Sequence, residues 1–133
     1  MEKGLEQEIW RRAKDRCEYC HFPANLALTP FQIDHIIAEK HSGKTESANL
    51  ALACYYCNNY KGPNIAGFDT TNGQIVRLFN PRVDVWSDHF RWQGAVLTGK
   101  TPIARVTLHV LNINRADSVL LRECLIHEGI WFE

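Results

Sequence analysis

The sequence predicts an α+β chain, and three observations carry that prediction. Two Cys-x-x-Cys pairs, Cys17-Glu-Tyr-Cys20 and Cys54-Tyr-Tyr-Cys57, bracket 33 residues that contain strand-like segments. Helical periodicity precedes the first pair, from Leu5 to Arg16. After the second pair come a strand, a hairpin pattern and two helical patterns.

Taken in order, LEQEIWRRAKDR places Leu5, Ile9, Trp10 and Ala13 on one side of a 3.6-residue repeat. FQIDHII, residues 31–37, is apolar and partly β-branched and follows Pro30, which predicts a first strand. HSGKTES at 41–47 is a loop rich in turn formers, and residues 49–53 predict a second short strand. Residues 54–61 predict a short helix that stops at Gly62-Pro63. IVRLF at 75–79 reads as a strand, while HFRW and AVLTG flank a hairpin turn at Gln93-Gly94. Thr101-Pro102 fits an N-cap with proline in the first turn, opening a helix that buries Ile103, Val106, Val110 and Leu111. A last helix after Asn114 is expected to bury Val119, Leu120, Leu121, Cys124 and Leu125 and to end near Gly129.

With 133 residues, 45% of them hydrophobic, the chain can bury one core and is short for two, so residues 1–133 are expected to form a single domain. No run approaches the roughly 20 apolar residues of a membrane span, and the start lacks the basic-then-apolar order of a signal peptide. A cytoplasmic location with no membrane association follows as the expectation. The 15 basic and 15 acidic residues cancel, so any contact with nucleic acid has to come from a local patch.

In a reducing compartment the cysteines are more readily metal ligands than disulfides. Cys17, Cys20, Cys54 and Cys57 can present four thiolates to one tetrahedral zinc ion, a coordination that leaves no open position and makes the ion structural. Cys124 falls at an apolar position of the last helix and is expected in the core.

Between the knuckles, Asp34 and His35 adjoin near a strand end, and Asn49 and Asn58 follow 14 and 23 residues beyond His35. With Cys-x-x-Cys, Asp-His, Asn-Leu and Cys-x-x-Cys-Asn-x-x-Lys-Gly in one order, the chain from Arg16 to Gly62 resembles the HNH, or ββα-metal, nuclease family. The resemblance implies a zinc-clamped core at 14–62, with residues 63–133 as a C-terminal extension of hairpin and helices packed on it. It implies hydrolysis of a phosphodiester in nucleic acid, most simply double-stranded DNA. His35 is then the general base, since imidazole titrates near neutrality. Asp34 and Asn58 become hard oxygen ligands for one Mg²⁺-like ion, and Asn49 holds the loop and the base in position. Lys61, Arg16 and Arg82 are the candidate contacts to phosphate.

The family's third position is often histidine; here it is Asn58, with Asn59 adjacent, and the residue directly after Cys57 sets the choice. Ser42-Gly43 stands where a glycine pair is common. Adjacent strand residues point to opposite faces, so the strand has to twist or end at Asp34-His35 if the two are to cooperate.

Glu39 and His41 lie close enough to assist the site, though a solvated loop face is the simpler reading. Arg11, Arg12, Lys14 and Arg16 either line a phosphate track or, with the acids among them, form a salt-bridged helix face. Asn80-Pro81-Arg82 through Gly94 is similar to the extension of small stand-alone bacterial HNH proteins. Its Trp86, Phe90 and Trp92 are expected to close a core, and Arg82, His89 and Arg91 are the alternative substrate-choosing set. A non-catalytic zinc module binding nucleic acid or a protein partner is the competing function.

Overall fold

A computed structural model describes residues 1–130. Helix α1 (Lys3–Ala13) opens the chain and buries Ile9. It stops short of the expected Arg16 because Lys14 and Asp15 take left-handed φ values of 56° and 58°. Strands β1 (Gln32–His35) and β2 (Leu50–Ala53) form an antiparallel hairpin, pairing Gln32 with Ala53, Ile33 with Leu52, Asp34 with Ala51 and His35 with Leu50. Both strands are shorter than the sequence suggests. Asn49, expected in the second strand, instead ends a single 3-10 turn at Ser47–Asn49. Helix α2 (Tyr55–Lys61) follows directly, with the Cys54 sulfur accepting from the Cys57 amide at its first turn. The hairpin lies between α1, packed on β2, and α2, packed on both strands. Accordingly every β2 residue is buried.

The second half adds two further hairpins. Strand β4 (Gln74–Arg77), close to the predicted strand, pairs with β3 (Ala66–Asp69), which the sequence did not reveal. A short helix α3 (Trp86–His89) leads into β5 (Phe90–Gln93) and β6 (Val96–Gly99), the predicted hairpin, turning at Gly94 with φ 60°. Helix α4 (Pro102–Val110) starts as expected: Thr101 Oγ1 accepts from the Ala104 amide at 3.1 Å. Buried side chains from Ile9 to Ile113 form one cluster, and Trp86 and Trp92 pack against it as the aromatic-core reading requires.

Helix α5 (Ala116–His127) corrects the expectation of a buried last helix. Leu120 and Leu121 are 61% and 47% exposed, Cys124 is exposed rather than core, and Arg122 is the residue that faces inward. Apolar side chains surround this helix, so their pattern selects no face. The guanidinium decides it: Arg122 donates to Ala95 O at 2.7 Å, Ile113 O at 3.2 Å and Asn114 Oδ1 at 3.1 Å, satisfying its buried donors. Arg122→Ala is therefore expected to cost roughly 2–4 kcal/mol, the scale of losing charged hydrogen bonds and stranding their acceptors. Thermal unfolding and hydrogen exchange would read it as a lower melting temperature with protection lost first across residues 116–127.

Candidate nuclease site and metal centre

The four sulfurs of Cys17, Cys20, Cys54 and Cys57 lie within 4.8 Å of one another, and all four residues are buried. Cys20 Sγ and Cys54 Sγ are 3.8 Å apart, far beyond a disulfide bond and close to the roughly 3.8 Å edge of a tetrahedron with 2.3 Å zinc–sulfur bonds. Burial holds the Cys17 thiol well above its ordinary pKa, whereas hydrogen bonds from the other thiols pull Cys54 far below. Crowded, buried and mutually coupled thiols are what a soft cation relieves by replacing their protons. The cluster fits one zinc ion.

The knuckles carry residues that organise the hairpin. Glu18 exchanges hydrogen bonds with Leu52, its amide donating to Leu52 O and its carboxylate accepting from the Leu52 amide, each at 2.9 Å, and so covers an edge of β2. Tyr19 is fully buried and donates its hydroxyl to Asp34 Oδ2 at 2.7 Å.

Asp34 lies on the β1 face toward α2, where its carboxylate meets the Lys61 ammonium at 3.1 Å and 3.3 Å. Lys61 also donates to His35 O at 3.0 Å and Ile36 O at 3.1 Å. Burial pushes the Asp34 carboxyl above the usual carboxylate range, and the Lys61 charge and the Tyr19 hydroxyl pull against that rise. At 1% exposure Lys61 has no surface to offer a phosphate, which corrects its expected role. A long apolar stem and three donors suit it to this interior post.

Asn58 sits one helical turn before Lys61, half-buried, and its amide nitrogen donates to Gln32 Oε1. That leaves Asn58 Oδ1 as an open oxygen ligand. Asp34 and Asn58 thus face each other's elements across the β1–α2 interface, and their hard oxygens fit a Mg²⁺-like ion by type. Lys61 already places cationic charge on the Asp34 carboxylate, so an ion here shares that carboxylate with the ammonium or displaces it.

His35 is the last residue of β1, so the regular strand ends at the Asp34-His35 pair. Its Nε2 is 2.9 Å from Thr45 Oγ1, a contact with the loop that the sequence did not single out. Asn49 is buried and closes that loop at three points: Oδ1 accepts from the Ile37 amide at 2.9 Å, and Nδ2 donates to Ile37 O at 3.0 Å and Lys44 O at 2.9 Å. Gly43 is required within the same closure, since a Cβ there would stand 1.7 Å from Ile37 O.

Arg82 is also corrected as a phosphate contact. It forms an ion pair with Glu18 and its side chain is 12% exposed, so it fastens the extension to the first knuckle. Trp86 adds to that fastening by donating Nε1–H to Tyr19 O at 2.9 Å. Arg16 is half-exposed beside the first knuckle, while His89 is engaged with Thr101 Oγ1 at 2.6 Å.

A hairpin and a helix clamped by paired cysteines, with Asp34, His35, Asn49 and Asn58 in order, are consistent with a ββα-metal core. Residues 17–64 match the HNH endonuclease family. An HNH domain implies a nuclease-type or nucleic-acid-related function. The Septu protein PtuB of Bacillus thuringiensis is 23% identical over 124 residues, covering 92% of this chain. The chain spans 46% of that relative's length. No solved structure matches it. Among the described residues no helix is long and apolar enough to cross a membrane.

Lys61→Met is expected to destabilise the β1–β2–α2 core by about 3–5 kcal/mol, because it strands a buried carboxylate. Without the ammonium the carboxyl rises further above its unfolded value, so the penalty is full above the folded pKa and shrinks as pH falls through it. Denaturant midpoints that shift more at pH 7 than at pH 5 would show this sign.

Proposed function

We propose that this chain is a metal-dependent endonuclease hydrolysing phosphodiester bonds of DNA duplexes, with His35 as general base. The observation that carries the reading is the hold on His35. Its backbone carbonyl is anchored by Lys61, its Nε2 is engaged by Thr45, and the loop beyond it is closed by Asn49. An imidazole held at Nε2 on an anchored backbone at a strand end, with Nδ1 left over, is suited to take a proton from water.

In this scheme Thr45 accepts from Nε2–H, which fixes the tautomer whose Nδ1 carries the lone pair. Asn49 is a positioning residue. Asn58 Oδ1 and the Asp34 carboxylate, shared with Lys61, would hold the divalent ion, which when bound would supply charge to the phosphate and to the leaving 3′ oxygen. Zinc in the four-cysteine clamp is closed to substrate and serves the fold. Residues 14–62 are the nuclease core, and 63–133 are an extension of the same domain; the Arg82–Glu18 and Trp86–Tyr19 contacts support that division. A cytoplasmic site of action suits four reduced thiols.

His35→Ala should keep zinc and circular dichroism unchanged while plasmid nicking in Mg²⁺ falls by roughly 10²–10⁴, the usual worth of a positioned base. Nicking by His35→Ala at the wild-type rate would remove this assignment. A wild-type chain that binds DNA, holds zinc and nicks nothing in any divalent metal would establish the non-catalytic zinc module in its place.

A further inference from the structure

Arg122 is the buried residue of α5, 4% exposed. Its guanidinium is fixed by Ala95 O, Ile113 O and Asn114 Oδ1, and Asn114 is itself held by the Leu97 amide at 2.9 Å and the Leu97 carbonyl at 2.7 Å. All three acceptors are neutral. The Trp92 ring, with its centroid 5.4 Å away, is uncharged too. These partners satisfy the donors of the guanidinium but leave its charge unbalanced, and a buried charge without a counter-charge is costly.

The four-cysteine clamp has the opposite imbalance. Four thiolates around one divalent ion carry a double negative charge. Two backbone amides point at them, Cys20 N–H to Cys17 Sγ at 3.5 Å and Cys57 N–H to Cys54 Sγ at 3.4 Å. Two other cations of this region already have carboxylate partners: Lys61 pairs with Asp34 at 3.1 Å and Arg115 with Asp117 at 2.6 Å. Arg122 shares a cavity of about 270 Å³ with the clamp, since Cys20, Cys54, Cys57 and Arg122 all line it. Phe22, Leu26 and Leu111 are among its other walls, and apolar surroundings screen charge weakly. Burial lowers the pKa of the guanidinium and the neighbouring Arg115 adds to that, whereas the Cys20, Cys57 and Cys54 thiolates act in the opposite direction. We propose that Arg122 is the counter-ion of the metal–thiolate cluster: its fixed guanidinium offsets the surplus negative charge and raises zinc affinity, which makes the C-terminal extension part of the metal centre. Arg122 is then a positioning and charge-balancing residue, not a ligand.

The test compares Arg122→Met, which removes the charge, with Arg122→Lys, which keeps it but cannot reproduce the planar fork. Zinc affinity of the full chain is measured by competition with a chelator, and the cobalt(II)-loaded chains are examined by absorption spectroscopy. Arg122→Met is expected to bind zinc roughly 10–100-fold more weakly, the usual worth of a group just outside the metal's ligands. Its sulfur-to-cobalt charge-transfer band should move to longer wavelength, because a nearby cation stabilises the sulfur electrons and its loss releases them. The visible bands that report tetrahedral geometry should stay in place. Arg122→Lys should keep most of the affinity and the wild-type charge-transfer band, although both variants melt at lower temperature. Should Arg122→Met fail to fold, Asn114→Asp carries the same test: it keeps the guanidinium and its Oδ1 acceptor but sets a negative charge against the cation, and the band should move the same way. An unmoved band in these variants, or equal loss of zinc affinity in the methionine and lysine variants, would overturn the proposal and leave Arg122 a packing residue. A wild-type chain that takes up neither metal would overturn the zinc assignment itself, a distinct result.

Discussion

Four cysteine sulfurs within 4.8 Å of one another tie residues 17–20 to residues 54–57 across a 33-residue spacer. Closing that spacer costs chain entropy, and a metal ion bound by the four thiolates would offset it, since metal binding in small domains is coupled to folding. What hangs on the clamp is specific. The first knuckle delivers Glu18 to the edge of β2 and Tyr19 to Asp34. The second supplies the start of α2, and with it the helix face that carries Asn58 and Lys61 to β1. The hairpin that presents His35 is thus held by both knuckles.

Lys61 is the second constraint. A buried ammonium and a buried carboxylate are each costly, and together they are retained only because every donor finds a partner. Here the pair does more than neutralise itself, since the same ammonium grips the carbonyls of His35 and Ile36. It sets where β1 ends. A lysine in this post couples α2 to the end of β1, and it keeps positive charge at the interface between them.

Much of this was legible in the sequence, and the reasons differ by residue. Paired cysteines declare themselves because few other roles need that spacing. Asn49 was readable as a loop anchor through its place in the motif, and Thr101-Pro102 as a helix start through capping chemistry. Lys61 and Arg82 were misread because charge in a sequence suggests surface, and only tertiary packing shows a guanidinium or ammonium with buried partners. Strand β3 escaped notice since AGFD is short and contains glycine; Gly67 is there because a Cβ would come within 2.8 Å of the Val110 side chain. Helix α5 misled through apolar residues on all sides, which left the buried face to be chosen by Arg122. Glu18, Tyr19 and Thr45 gave no signal, being ordinary residues whose importance is entirely in what they reach.

The claim that the clamp holds the β1–β2 hairpin is tested most directly by hydrogen exchange before and after zinc is stripped by a strong chelator. Amides of residues 32–37 and 49–53 should lose most of their protection together when zinc leaves, while β5–β6 and α4 retain more of theirs. If the β1–β2 amides remain protected in the zinc-free chain, the hairpin stands on its own packing, and the clamp is not what positions His35.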